Sequence, residues 1–123
     1  MKFVLETSGE GFAIQRYEVG EIIIRETRYR ESLILLPDQV VTDWSPASVD
    51  ELKTTDFQRL ADFSPEIVIL GTGAKQHFPH PSLLQPLMQA RIGIEVMDTA
   101  AACRTYNILM GEGRRVAAAL FMI

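Results

Sequence analysis

The last third of the chain constrains the fold most strongly. Residues 67–70 are continuously apolar and mostly β-branched, a pattern typical of a strand that is buried on both faces. A glycine turn at 71–73 follows this run, and a second strand-like run at 94–97 leads into another helix. A helix predicted over 82–91 joins the two runs, so they should be adjacent parallel strands of a right-handed βαβ unit. The segment therefore predicts an α/β fold.

A further helix and strand complete the C-terminal part. The sequence predicts a helix over 99–110 that is ended by Gly111 and Gly113, because glycine is preferred just beyond a helix C-terminus. Residues 116–123 form a final apolar run and are predicted to be a strand. The connection between this helix and this strand is short, and it leaves the direction of the strand open.

The N-terminal half carries four short β-type runs. They are separated by glycines and by the turn Pro37-Asp38, in which proline presets φ for the first corner. Strands joined by such tight connections pair with their neighbours, so we predict an antiparallel β-meander. The four runs are 12–14, 19–24, 29–36 and 40–44.

One helix is predicted between the two halves. Ser48 and Glu51 have the spacing of a capping box, in which the serine hydroxyl accepts from a backbone N–H and the glutamate reaches back. The helix should extend to about Asp62. Thr54 and Thr55 lower the helix propensity in its middle, and a break is expected there.

Length and composition are those of one globular domain. A chain of 123 residues can bury a core of its own, and we assign residues 1–123 to one domain with a loosely ordered arm at 1–10. The single cysteine, Cys103, excludes an intrachain disulfide. Since no apolar run approaches the roughly 18 residues that a membrane span needs, we expect no membrane insertion. The first residues lack the features of a targeting peptide, which favours the cytoplasm.

The charge distribution argues against nucleic acid as a partner. The formal net charge is −4, whereas nucleic-acid-binding domains usually carry a basic stripe. Arg25, Arg28 and Arg30 lie close together, but glutamates are interleaved with them. Such mixed clusters steer anions only weakly, so we interpret this segment as a solvated strand face.

Two familiar ligand motifs are incomplete. The Rossmann fingerprint needs a third glycine where Gln76 stands and a helix that begins at once, whereas a loop at 74–81 intervenes. The phosphate-binding P-loop also fails, because Lys75 is neither preceded by glycine nor followed by serine or threonine.

His77 and His80 could supply two zinc ligands, but a zinc site needs three or four. We therefore expect no cofactor and no metal.

One crevice is the candidate site for a ligand or partner. The carboxyl ends of parallel strands and the N-termini of helices meet there, and free backbone N–H groups at such a point favour an anion or a carboxylate. A cysteine near a helix N-terminus can be a nucleophile, but buried structural cysteines are far commoner, and we expect the latter. No complete set of nucleophile, base and orienting group is present. The candidate residues are Gly71, Thr72, Gly73, Asp98, Thr99 and Cys103.

Several short motifs, taken in their order and spacing, resemble one known family. The chain resembles the Mth938-like domain family from about Phe12 onward, apart from the loop 74–81. This family comprises small proteins and includes the mitochondrial respiratory complex I assembly factor 3. The motifs that carry the resemblance are Leu35-Leu36-Pro37, Val40-Val41, Trp44, Gly71-Thr72-Gly73, 93–99, 102–109 and Glu112-Gly113-Arg114.

The resemblance implies a three-layer α/β domain around a central mixed sheet, with an added β-hairpin and helix on one side. It implies no established enzymatic activity, and the best-described member acts by binding other proteins during complex I assembly. Our first hypothesis is a non-catalytic, assembly-factor-like domain of bacterial type that binds an unidentified protein, with a homo-oligomer left open. The second is an enzyme or a small-molecule or anion binder that uses the crevice between Gly71–Gly73 and Asp98-Thr99.

Overall fold

The computed structural model describes residues 3–4 and 11–123 and contains two β-sheets and three α-helices. The strands are β1 (Phe3–Val4), β2 (Ile14–Glu18), β3 (Glu21–Ile24), β4 (Thr27–Tyr29), β5 (Leu33–Leu36), β6 (Gln39–Val41), β7 (Ile67–Gly71), β8 (Gly93–Met97) and β9 (Val116–Leu120). The helices are α1 (Thr54–Asp62), α2 (Gln85–Gln89) and α3 (Thr99–Gly111), with 3-10 turns at Val49–Glu51 and Pro81–Leu84.

The mixed sheet has the strand order β6-β5-β9-β7-β8. Its strands β7 and β8 are parallel and adjacent, with Ile67 beside Gly93 and Gly71 beside Met97, as the sequence predicts. The last strand, β9, runs parallel to β7 and antiparallel to β5, so it occupies the centre of the sheet. The predicted α/β class with a parallel βαβ unit is therefore confirmed.

The second sheet is antiparallel and has the order β1-β2-β3-β4. Most of the predicted arm, residues 1–10, lies outside the described residues. Phe3–Val4 are described, and they pair with β2.

The predicted meander is divided between the two sheets. The run 29–36 was expected to be one strand, but Tyr29 ends β4 in the antiparallel sheet and Leu33–Leu36 form β5 in the mixed sheet. All four residues of β5 are fully buried. A strand that is apolar on both faces must be covered on both faces, which an edge of the antiparallel sheet cannot provide.

The segment between the two halves forms two short helices. Ser48 makes no side-chain capping bond, so the predicted capping box is wrong in its serine half. The Glu51 carboxylate accepts instead from the Ala47 N–H at 3.3 Å. The expected break falls before Thr54, where α1 begins, and the Asp56 carboxylate accepts from the Lys53 N–H at 2.8 Å.

The crossover helix is also divided. A continuous helix over 82–91 was predicted, whereas a 3-10 turn, Pro81–Leu84, precedes the short α2. Pro86 explains the division, because it has no N–H to donate to Ser82 and its ring would clash with that carbonyl in an uninterrupted α-helix. The cap of the turn is His80, whose Nδ1 accepts from the Ser82 N–H at 3.1 Å.

Two apolar cores cover the two faces of the mixed sheet. Alternate residues of each strand point to opposite faces, so Val68 and Leu70 contact the layer of α1 and α2, whereas Ile69 contacts the layer of α3 and the antiparallel sheet. β9 carries three alanines at 117–119, and small side chains let the neighbouring layers approach closely. The result is the three-layer arrangement that places the ends of β7 and β8 beside the start of α3.

Candidate functional site

The predicted crevice lies where β7 and β8 end side by side. Gly71 is the last residue of β7, and Asp98 follows β8 and caps α3. The structure therefore brings five of the candidate residues together at this junction, and the sixth, Cys103, lies one turn further along α3. The five are Gly71, Thr72, Gly73, Asp98 and Thr99. What the crevice can do depends on which of its polar groups remain available.

The backbone donors of the glycine turn are already engaged. The Thr72 N–H donates to the Met97 carbonyl at 2.9 Å, and the Gly73 N–H donates to the Thr99 hydroxyl oxygen at 2.8 Å. From the sequence, the N–H groups of this turn were expected to be free for an anion. An incoming anion would have to displace bonds that join the turn to β8 and α3.

The N-terminus of α3 is capped from within the chain. The Asp98 carboxylate accepts from the Ala101 N–H at 2.8 Å, and the Thr99 N–H donates to the Gly73 carbonyl at 2.9 Å. This confirms the expected cap. The carboxylate also occupies the place where the positive end of the helix dipole would otherwise attract an anion.

Glycine is needed at positions 71 and 73 for two different structural reasons. A Cβ on Gly71 would lie 2.9 Å from both the Ala102 Cβ and the Leu120 Cδ2, so this position allows α3 and β9 to close on β7. Gly73 has a φ of +99°, which side chains rarely adopt. Both glycines are required by packing or by backbone conformation without reference to a ligand.

Cys103 is fully buried on the inner face of α3. Burial raises the pKa of its thiol to about 12, while Arg104 acts in the opposite direction and Asp98 adds to the rise. The thiol is therefore protonated at neutral pH, and a protonated thiol is a poor nucleophile. This agrees with the expectation that Cys103 is a buried structural residue and not a nucleophile.

The two loop histidines lie in separate surroundings. The His77 Nε2 is 3.6 Å from the Asp50 carboxylate, and both side chains are largely exposed. His80 serves as a cap for Ser82, as described above. Within 3–4 and 11–123, no three histidine, cysteine, aspartate or glutamate side chains are grouped so that they could hold a metal ion.

Polar residues inside α3 bind the N-terminal segment that leads into β2. The Asn107 side chain accepts from the Ile14 N–H and donates to the Ile14 carbonyl, both at 2.8 Å. The Tyr106 hydroxyl donates to the Phe12 carbonyl at 2.9 Å, and burial raises the pKa of this hydroxyl. Asn107 thus bonds inward and holds β2 against α3.

A large surface depression lies elsewhere, at the junction of the two sheets. It encloses about 670 Å³ and has Trp44 at its wall, whose ring stacks on Phe121 at a centroid distance of 5.3 Å. The Trp44 indole N–H is buried and has no hydrogen-bond partner among the described residues. The sequence analysis missed this groove, since its walls come from segments far apart in the chain. The lining residues are Arg30, Glu31, Ser32, Thr42, Asp43, Trp44, Ser45, Ala47 and Met122.

The charges along this groove are largely paired. The Arg59 guanidinium lies 2.7 Å from the Asp43 carboxylate, and it lowers the pKa of that carboxyl group. Arg28 and Arg30 both lie within 4 Å of Glu21. A groove with paired charges of both signs offers contact area but no concentrated field for an ionic ligand.

Comparison with known proteins decides the family. The family model described as "Protein of unknown function (DUF498/DUF598)" matches residues 14–121. The chain belongs to this family. Its fold is that of the Mth938-like proteins. A solution structure of a Mth938-like domain from Bordetella pertussis superimposes on this chain with a TM-score of 0.82 at 29% identity. The match covers 98% of this chain and 92% of the Bordetella pertussis chain. A crystal structure from Bordetella parapertussis matches with a TM-score of 0.87 at 34% identity, covering 94% and 99% of the two chains.

Proteins similar to this chain include one from an animal and one from a bacterium. The chain is 42% identical over 89 residues to NADH dehydrogenase [ubiquinone] 1 alpha subcomplex assembly factor 3 of Mus musculus, covering 71% of this chain and 48% of the mouse protein. It is 29% identical over 103 residues to the 13 kDa major membrane protein of Francisella tularensis, covering 83% and 84%. The chain thus spans about half the length of the mouse relative. In the part of the chain that the structure describes, no helix is long and apolar enough to cross a membrane.

Proposed function

We propose that this chain is a non-catalytic, protein-binding domain that acts in the manner of an assembly factor. The observation that carries the proposal is its relationship to complex I assembly factor 3, which extends over 71% of the chain. An assembly factor needs a stable surface that a partner recognises, and it needs no reacting groups. In its finer form, the proposal places the partner among proteins of a respiratory complex and the chain in the cytoplasm.

The geometry of the crevice supports this function over the alternative of an enzyme or anion binder. Two N–H groups of the glycine turn are bonded within the chain, and Asp98 caps the helix that would hold an anion. The Cys103 thiol is buried and protonated. These groups stabilise the junction of β7, β8 and α3, and a small ligand would have to break that junction to reach them.

Gentle affinity purification followed by native mass spectrometry tests the proposal. We expect a partner protein in a stoichiometric complex, and a respiratory-complex subunit would support the finer form. A co-purifying small molecule that is lost on changing Gly73 to valine would instead support the alternative. A wild-type chain recovered without any protein partner under these conditions contradicts the proposal.

A second readout addresses assembly directly. In the cell that encodes this chain, its deletion should reduce the amount of assembled respiratory complex, while the transcripts for the subunits stay constant. Expression of the wild-type chain should restore the complex. An unchanged amount of assembled complex in the deletion strain contradicts the finer form and leaves the binding of another protein to be judged by mass spectrometry.

A further inference from the structure

Strand β8 is the longest strand at a sheet edge in the described part of the chain. It has five residues, whereas the edge strands β4 and β6 have three each and β1 has two. Edge strands present unpaired backbone groups that can add a strand from another chain, and proteins usually shorten or cover them. The five-residue edge of β8 therefore offers more backbone groups for pairing than the shorter edge strands do.

The outward backbone groups of β8 belong to Ile94 and Val96. The Met97 carbonyl accepts from Thr72 on the β7 side, whereas the Val96 carbonyl accepts from the Gln76 side chain at 3.0 Å on the other side. Successive residues of a strand direct their N–H and C=O groups to alternate sides. The groups of Ile94 thus face outward as well, and among the described residues Gln76 is the one group that bonds to this edge.

Apolar side chains lie on both segments that flank this edge. Ile94 and Val96 are half-buried against the core that α2 covers. Met88 on α2 is 68% exposed, and Phe78, two residues after Gln76, is 65% exposed. These are two of the four large apolar side chains that are exposed in residues 3–4 and 11–123. An added strand could therefore bury apolar area as well as form backbone hydrogen bonds.

The charge on β8 disfavours a second copy of this chain as the occupant. The antiparallel register that keeps both strands within Gly93–Met97 pairs Ile94 with Val96 of the second copy and places Glu95 directly opposite its own equivalent. The two Glu95 residues would form a non-hydrogen-bonded pair, in which the Cα atoms lie about 4.5 Å apart. Like charges in such a pair are destabilising. A register shifted in one direction would use Ile92, whose N–H already donates to the Leu87 carbonyl. A register shifted in the other direction would use Asp98, whose carbonyl already accepts from the Ala102 N–H. The same carboxylate would stabilise a cationic residue on a different strand.

We propose that β8 accepts an extended segment of a different protein as a sixth strand of the mixed sheet. The segment would carry apolar residues opposite Ile94 and Val96 and a lysine or arginine opposite Glu95. Its backbone would replace the side chain of Gln76 at the Val96 carbonyl. This inference rests on the proposed function, because it specifies where and how a protein partner binds.

A synthetic peptide of the predicted chemistry provides the first test. The probe is acetyl-Thr-Val-Lys-Val-Thr-amide, and the control peptide has glutamate in place of lysine. Titrated into the full ¹⁵N-labelled chain, the probe should shift the amide resonances of Ile94 and Val96, and the control should bind at least about threefold more weakly. Absence of shifts at these amides, or equal binding of the two peptides, would overturn the proposal.

Charge reversal gives a variant that leaves the fold intact, because Glu95 is exposed. In Glu95→Lys, the preference should invert, so that the glutamate peptide binds more tightly than the lysine peptide. Gln76→Ala removes the side chain that competes for the Val96 carbonyl, and it should strengthen binding of the lysine probe. A Glu95→Lys chain that retains the wild-type preference contradicts the predicted contact.

A matched pair of variants separates the backbone from the side chain. Ile94→Pro removes the outward N–H, which edge strands tolerate, whereas Ile94→Ala shortens the side chain even further but keeps the N–H. The proline variant should lose the probe, and the alanine variant should keep it with at most a fewfold loss. If Ile94→Pro does not fold, the inversion by Glu95→Lys decides the proposal alone.

The same variants distinguish this inference from the proposed function. If the partner found by mass spectrometry stays bound to Glu95→Lys and Ile94→Pro, the chain binds proteins but not through β8, and the inference is overturned. If the wild-type chain has no partner, the proposed function fails, while the peptide titration still decides whether β8 accepts a cationic strand.

Discussion

Gly73 and Thr99 form two hydrogen bonds with each other. The Gly73 N–H donates to the Thr99 hydroxyl oxygen at 2.8 Å, and the Thr99 N–H donates to the Gly73 carbonyl at 2.9 Å. The Thr99 hydroxyl in turn donates to the Phe121 carbonyl at 2.6 Å. One buried side chain thus joins the turn after β7, the start of α3 and the end of β9.

Thr99→Val should therefore be strongly destabilising although the two side chains have the same shape. The substitution leaves the Gly73 N–H and the Phe121 carbonyl buried without a partner, and each such group costs about 1–3 kcal/mol. We expect the free energy of unfolding in urea to fall by at least about 2 kcal/mol. The same change at the exposed Thr55 should cost no more than about 0.5 kcal/mol. Equal effects at both positions would contradict the central role of Thr99.

Asp98→Ala should cost about 1 kcal/mol of stability if Asp98 acts only as the cap of α3. Asp98→Asn should retain most of that stability, since asparagine is an equally good capping residue. Thermal and urea unfolding of both variants provide the measurement. Loss of a bound partner or ligand from both variants, out of proportion to the change in stability, would instead give the crevice a binding role.

Gly71→Ala should destabilise the chain by about 1–3 kcal/mol through overpacking. The new Cβ would lie 2.9 Å from atoms of Ala102 and Leu120, in a fully closed junction. Gly111→Ala is the matched control, because this residue of α3 has no positive φ and a Cβ added to it would have no neighbour within 4 Å. We expect the control to be neutral or stabilising by up to about 1 kcal/mol, since alanine is the better helix former. Urea unfolding of both variants measures the difference, and equal stabilities would contradict the close packing at Gly71.

The stability of the chain should fall above pH 9 because of Cys103. Burial raises the pKa of its thiol from 9.0 to about 12, so the folded state keeps a proton that the unfolded state loses. Linkage then makes unfolding more favourable as the pH rises from about 9 to 12, and it leaves stability below that range unaffected by this group. Urea unfolding at several pH values measures the slope for wild type and for Cys103→Ala.

The thiol's contribution is the difference between wild type and Cys103→Ala in the slope of unfolding free energy against pH. Tyr106 also has a raised pKa, so both chains should lose some stability at the highest pH values. The slope should be steeper for wild type between pH 9 and 12. Identical slopes would show that Cys103 ionises as easily in the folded chain as in the unfolded one.

Much of the C-terminal half could be predicted from the sequence. The strand character of 67–70 and 94–97 follows from local side-chain chemistry, and the length of the crossover makes them parallel. The Asp98 cap was likewise predictable, because a cap depends on a few consecutive residues. The family resemblance was carried by motifs in this half together with those between Leu35 and Trp44, and the match over 14–121 confirms it.

The errors fall where a local pattern competes with a contact from a distant segment. The run 29–36 contains no glycine or proline, so its polar residues 30–32 were not recognised as the point where the chain leaves one sheet for the other. Ser48 has a good capping pattern, but the chain forms a 3-10 turn there and α1 begins only at Thr54. The groove beside Trp44 was not foreseen at all, and the cytoplasmic location and the single domain remain predictions.

The sequence by itself determined the alternation of strands and helices in the C-terminal half, because apolar periodicity and glycine act over a few residues. Only the tertiary structure decided that β9 lies between β5 and β7, since strand order depends on which buried faces can cover one another. It also decided that the N–H groups of the glycine turn are occupied. Their acceptors on Met97 and Thr99 lie about 25 residues away in the chain and meet the turn only when the layers close.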